Sequence, residues 1–385
     1  MGTENRQLNR KKVVGLVLCV VLVIILAGFV QTLLASASST DKTMLTPTPG
    51  KLSSAALTAT AGTTPTASTK ARIATATVNP KATPTPASKV TPTVAPAAPM
   101  TGGGSTMLLG TNLNIQDSSD QVFTSSATRT ALQKMHVGLF RIPTRDGQSD
   151  SIVTQAAQIT KSMGAAPLVI LQGDKATSDA LDNDTRIIKI MNSIFGNGVV
   201  YYEYGNEQDF FYKLEPKDYT ASWNRLIPQL KKLALNGRFI GPVNYQYNGT
   251  YLQYFLQNAQ PRPDAVSWHE YTCASDWSND ICMSHLDNWT VHFNNARGIM
   301  NSTIGTSLPI MITEWNYTAN PVSGDGKSDN DSFMSAWTTK ALQTFAANGI
   351  FAAAQYSCTE YAAPLVDSDG DMTAQGLAFQ KYGGG

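Results

Sequence analysis

Eight short apolar runs, separated by longer stretches with helix-like spacing, constrain the fold of this chain more than any other feature. They are Met107 to Asn114, Val137 to Pro143, Ala166 to Gln172, Val199 to Gly205, Phe239 to Asn244, Ala265 to Tyr271, Pro309 to Glu314 and Ile350 to Ser357. Runs of this length with little polar alternation suit strands buried on both faces of a parallel sheet. In the intervening segments Ala131, Leu132 and Met135 share one helical face, as do Ile187, Ile188 and Met191. Trp223, Leu226, Ile227 and Leu230 repeat the spacing, and Asp331-Ser332 precedes a helical run from Phe333 to Ala347. The eightfold alternation predicts an α/β fold of the (β/α)8 TIM-barrel type. A doubly wound open sheet also alternates, but no glycine-rich phosphate loop follows the first strand, and Gly102-Gly103-Gly104 precedes it.

All eight runs fall after residue 104, where the composition changes abruptly. Residues 1–12 form a basic tail with Arg6, Arg10, Lys11 and Lys12. The next segment, 13–35, holds the run Val13 to Leu34, apolar except for Gln31 and long enough to cross a hydrocarbon core. The basic flank predicts a signal-anchor with its N-terminus in the cytoplasm and the rest of the chain outside. Ala35-Ser36-Ala37 has the small-x-small form of a processing site, so a cleaved signal peptide is the competing reading. Residues 36–104 consist largely of Thr, Pro, Ala and Ser without an aromatic residue, which predicts a disordered linker holding the following domain away from the membrane. Residues 105–385 are then the barrel, displayed at the cell surface or secreted.

Charge narrows the partners. Of the 29 basic and 28 acidic residues, 10 and 2 lie in the first 104 positions, leaving 19 basic and 26 acidic in the barrel segment. An acidic domain without a basic stripe is a poor nucleic-acid binder, and neutral substrates fit it best. Of the 4 cysteines, Cys19 lies in the apolar run; Cys273, Cys282 and Cys358 allow three pairings, of which Cys273 with Cys282 is the simplest staple in an exported protein.

Two of the predicted strands deliver a carboxylate at their ends. Tyr201-Tyr202-Glu203-Tyr204-Gly205-Asn206-Glu207 and Pro309-Ile310-Met311-Ile312-Thr313-Glu314-Trp315 are both buried-strand patterns closing on glutamate. A TIM barrel places its chemistry where strands end, so Arg141 after the second strand, Asn206 and Glu207 after the fourth, Trp268, His269 and Tyr271 at the sixth and Glu314 and Trp315 at the seventh are expected on one rim. A carboxylate pair is the minimum equipment for glycosidic-bond cleavage, one protonating the leaving oxygen while the other attacks the sugar. Glu203, two pleats before Glu207, is expected deeper in the barrel as a structural residue, and Glu270 points oppositely to His269.

At these positions the chain resembles the clan A glycoside hydrolases, barrels with an Asn-Glu acid/base on strand four and a glutamate nucleophile on strand seven. Glu203-Tyr204-Gly205-Asn206-Glu207 is similar to their Glu-x-x-Asn-Glu motif, Thr313-Glu314-Trp315 to the strand-seven motif, and His269-x-Tyr271 to a pair seen in family 39-like members. The resemblance implies retention of configuration, with Glu314 as nucleophile, Glu207 as acid/base, and Arg141, Asn206, Trp268, His269 and Tyr271 around the sugar. Gln208 stands where a proline commonly follows the acid/base, and Gln355-Tyr356 occupies the region where many members place a sugar-stacking tryptophan. Tyr356 or Trp315 is the candidate replacement platform. The expected partner is an oligo- or polysaccharide, with a sugar-binding barrel of weak or lost activity and a wall-remodelling transglycosylase as alternatives. No cofactor or metal is expected: Asp367, Asp369 and Asp371 invite a calcium-loop reading, but the glycine such a loop requires is displaced to Gly370 and no glutamate closes it at the twelfth position, Ala378, while His285 and His292 lack a completing ligand set.

Overall fold

The computed structural model describes residues 107–145, 147–173, 180–361 and 363–383. The apolar run Val13 to Leu34 and the Thr/Pro-rich stretch lie outside them, and among the described residues no helix is long and apolar enough to cross a membrane. Eight parallel strands close in sequence order into a barrel. They are β1 (Leu108–Asn112), β2 (Leu139–Ile142), β3 (Ala166–Leu171), β4 (Val200–Tyr204), β5 (Gly237–Asn244), β6 (Ala265–Tyr271), β7 (Ile310–Asn316) and β8 (Ala352–Gln355). The (β/α)8 barrel read from the sequence is therefore the architecture of the described residues.

Two apolar layers hold it together. Leu139, Leu168, Ile240, Ala265, Met311 and Ala354 fill one end of the barrel interior. A larger layer lies between the strands and the surrounding helices, and Trp223, Trp289, Trp315, Trp337 and Phe345 belong to it. The helix Pro216–Leu233 illustrates how sequence becomes packing: proline fits its first turn, where no intrahelical donor is required, and Tyr219, Trp223, Leu226, Ile227 and Leu230 form its buried face. Ser125 caps Ser126–Lys134 by accepting from Thr128 N, and Asn330 caps Asp331–Ala347 by accepting from Phe333 N.

Above the apolar plug the inward side chains become polar. On β2 the inward phase runs from Leu139 to Arg141, and Ser267 and His269 follow Ala265 on β6. β7 departs from strict alternation. Trp268 pairs with Ile312 but His269 pairs with Glu314, so Thr313 is an extra residue, a bulge that shifts the phase of everything after it. Glu314 thereby takes the inward phase of His269, and Trp315 takes the outward phase of Glu270.

Candidate active site

Glu207 and Glu314 meet at the carboxyl end of the barrel. Glu207 follows β4 through Gly205, whose φ of +85° sits where a Cβ would come within 2.7 Å of the Gln208 side chain. Glu207 itself has a left-handed backbone (φ +46°), with its N–H donating to Val243 O of β5 at 3.0 Å. A non-glycine residue in this region persists only where its surroundings hold it. Both carboxyls are nearly enclosed, Glu207 at 6 % and Glu314 at 7 % exposure.

Arg141 organises the Glu314 side. Its Nε donates to Glu203 Oε2 (2.6 Å), Nη1 to Glu314 Oε1 (2.5 Å) and to Asn112 Oδ1 (2.8 Å), and Nη2 to Asn206 Oδ1 (2.6 Å). One buried guanidinium on β2 therefore fixes residues on β1, β4 and β7 and Asn206 just after β4. Burial opposes its charge, but Glu203 and Glu314 more than compensate and hold it protonated. Tyr271 completes the set by donating to Glu314 Oε2 at 2.7 Å. Burial alone pushes the Glu314 carboxyl up; the charges of His269 and Arg141 and the bonds from Tyr271 and Arg141 outweigh it, so Glu314 lies below its ordinary value.

His269 links the two carboxylates. Its Nδ1 lies 2.6 Å from Glu207 Oε1 and 3.5 Å from Glu314 Oε2. Burial disfavours the imidazolium, yet Glu314 and Glu207 together raise His269 above its ordinary value, against a smaller opposing effect from Arg141. The short contact with Glu207 requires one proton between Nδ1 and Oε1. Glu207, His269 and Glu314 each offer one donor atom within 4.8 Å of the others, and they are the set of described residues with the spacing to hold a metal ion. Arg141 bonded to Glu314 places a fixed positive charge against a cation there.

Of the residues singled out from sequence, Glu207, Glu314, Arg141, Asn206, His269 and Tyr271 come together, and Tyr356 joins them as part of the wall of a cavity of about 430 Å³ that also includes Arg141, Asn206 and Glu314. Trp268 and Trp315 do not, which corrects the expectation that they contact sugar. Trp268 packs on Tyr247 and Phe293 in the outer layer, its indole N–H bonded to Glu270. Trp315 is fully buried, stacked on Phe379 and packed on Trp337 and Phe345. Each follows an inward residue, so pleating turns it towards the helices.

Cys273 and Cys282 form a disulfide, with Cys358 buried and free. Asp367 closes a turn by accepting from the N–H groups of Asp369 and Asp371. Glu203 is buried against Arg141, the structural position expected of it. Sequence reasoning missed Asn112, which orients Arg141 and whose Nδ2 donates to Thr313 O at 3.0 Å across the barrel mouth. A strand ending on asparagine was the available signal.

No protein-family model matches the chain, and no curated protein does. Solved structures do share its fold. A GH51 arabinofuranosidase from Xanthomonas axonopodis pv. citri superposes with a TM-score of 0.56 at 14 % identity, covering 72 % of this chain and 73 % of that one. A glucosidase from Croceicoccus marinus gives 0.53 at 17 % identity over 73 % and 68 % of the two chains. A monomeric beta-xylosidase from Caulobacter crescentus CB15 gives 0.53 at 12 % over 71 % and 67 %. These neighbours are glycosidases built on the barrel that the sequence resemblance implied.

Proposed function

We propose that the protein is a retaining glycoside hydrolase in which Glu314 is the nucleophile and Glu207 the acid/base. The observation that carries this reading is the facing pair itself: carboxylate oxygens of Glu207 and Glu314 within 4.8 Å, with Glu314 held ionised by His269, Arg141 and Tyr271. A separation of about 5 Å suits direct attack by one carboxylate, whereas an inverting pair needs room for a water, at about 6.5–9.5 Å.

In the first step Glu314 attacks the anomeric carbon as the glycosidic C–O bond breaks, and Glu207 gives its proton to the departing oxygen. A glycosyl ester on Glu314 and a free alcohol result. In the second step Glu207 removes a proton from water, the hydroxide attacks the anomeric carbon, and the ester bond breaks to return Glu314 as a carboxylate. His269 bonded to Glu207 Oε1 orients the carboxyl, leaving Oε2 as the oxygen that exchanges the proton with the departing group and then with water. Asn206 has its amide oxygen committed to Arg141, leaving its NH₂ to donate to a sugar hydroxyl. Tyr356 supplies the aromatic wall beside the sugar.

The substrate is a neutral oligo- or polysaccharide outside the cell. The N-terminal sequence supports export, whether as a membrane signal-anchor or a secreted form, and the Cys273–Cys282 disulfide fits an oxidising compartment. The test is reducing-sugar release by the full chain across a broad glycan panel, beside Glu207→Gln and Glu314→Gln. Cleavage by the native protein and its loss by about a thousandfold or more in both variants, in the range for groups that perform the bond-breaking step, is the expected result. Tight glycan binding without cleavage by the native protein would replace the enzyme reading with a sugar-binding one.

A further inference from the structure

A second cavity, of about 320 Å³, opens beside the site and is walled by Tyr245, Gln246, Tyr271, Trp277, Asn288 and Asn320 among others. Tyr271, whose hydroxyl bonds Glu314, belongs to both. Tyr245 stacks on Tyr271 with ring centres 6.1 Å apart, and Gln246 Nε2 donates to the Tyr271 carbonyl at 3.1 Å. The chain has 6 tryptophans, of which five are buried and Trp277 alone is 39 % exposed. An exposed indole is costly to keep in water, and here it is held on a fixed loop.

That loop is pinned at several points. The Cys273–Cys282 disulfide closes it, Cys273 N donates to Tyr317 O at 2.8 Å, and the buried Lys327 Nζ donates to Ser275 O at 2.9 Å. The ring of His285 meets Trp277 edge-on at 4.8 Å. Such a platform is ordered before any ligand arrives, which lowers the entropic cost of binding. Among the described residues no lysine or arginine lines the cavity; of its two histidines His292 is bonded to Glu270, which also accepts from Trp268 Nε1, and His285 has its ring against Trp277. The lining therefore offers an aromatic face and side-chain amides without a cation for phosphate or carboxylate, the chemistry that suits an uncharged sugar.

Position assigns the side of the scissile bond. Asn112, Arg141 and Tyr356, from β1, β2 and just after β8, line the first cavity with Glu314 and with Asn206 and Gln208 on either side of Glu207, while His269 of β6 binds Glu207 from the side of the second cavity, which borders β5, β6 and β7. We propose that the second cavity is a sugar subsite on the leaving-group side, where Trp277 stacks a neutral unit of the glycan chain beyond the bond being cleaved. This rests on the glycosidase reading for which side leaves, and makes the protein a selector of longer chains.

The test uses the full chain with xylo- and cello-oligosaccharides of two to six units, following tryptophan emission and, separately, hydrolysis. Because the other five indoles are buried, saturable blue-shifted emission reports Trp277. Trp277→Ala should abolish the shift and weaken binding about tenfold, the loss of roughly one stacked aromatic face, with Trp277→Phe recovering most of it. The hydrolytic defect of Trp277→Ala should grow with chain length. Unchanged emission across the series, or a Trp277→Ala defect that is absent or equal at every length, overturns the subsite even where native hydrolysis stands. Binding with the expected emission but no cleavage by the native protein would instead retain the sugar site and remove the enzyme.

Discussion

The charges of His269 and Arg141, with the bonds from Tyr271 and Arg141, outweigh burial and hold the Glu314 carboxyl down. As the proposed nucleophile Glu314 must be ionised, and its carboxyl lies below the ordinary value of 4.5, so activity should fall on the acid side only as pH drops through that lowered value. The same depression contributes folding stability that is complete above the ordinary carboxylate range and is lost as pH falls through the Glu314 value. Tyr271→Phe removes the bond to Glu314 Oε2. The acid limb of kcat/KM should move upward, and the plateau should drop by roughly tenfold or more, as for loss of a hydrogen bond to a charged group. An acid limb that stays in place would mean that Tyr271 does not hold the nucleophile ionised. Arg141 serves a wider purpose, since its single side chain binds Glu203, Glu314, Asn112 and Asn206 together.

At the scale of elements, the bulge in β7 decides which of two neighbours faces the barrel interior. Thr313 shifts the phase, turning Glu314 inward and sending Trp315 into the outer layer. Trp315→Ala should therefore lower stability by about 3–5 kcal/mol, the usual cost of emptying a buried tryptophan site. Denaturant unfolding measures that loss, and KM for any substrate found in the glycan panel should change little. A large rise in KM at near-native stability would restore Trp315 as a sugar platform. The strands were legible because eight apolar runs of strand length leave few other architectures, and β6 coincides with its predicted limits at Ala265 and Tyr271. The rim glutamates were legible because each closes such a run. Trp268 and Trp315 lie in the outer layer because each follows an inward residue on its strand, and the bulge that sets the phase of Trp315 has no marker in a single sequence. Asn112 and the Arg141 fork depend on side chains 29 to 173 positions apart, a convergence that spacing along the chain does not reveal.

Across the whole molecule, eight strand ends bring two opposed carboxylates, one shared arginine and two bordering cavities to a single rim. The glycosidases with the same fold act by their names on different sugars, arabinofuranosides, glucosides and xylosides among them, which agrees with sugar choice residing in the loops around a common centre. On the proposed reading, Tyr356, the Tyr245-Gln246 segment and the Trp277 loop are where this chain makes that choice. What unites them is the claim that the bond is broken in two displacements through a glycosyl ester on Glu314. The most direct measurement is proton NMR of the first sugar released from a substrate identified in the glycan panel, recorded before mutarotation. Two displacements predict that the new hemiacetal keeps the anomeric configuration of the substrate; release of the opposite anomer would mean a single attack by water and would contradict the assignment of Glu314 as nucleophile.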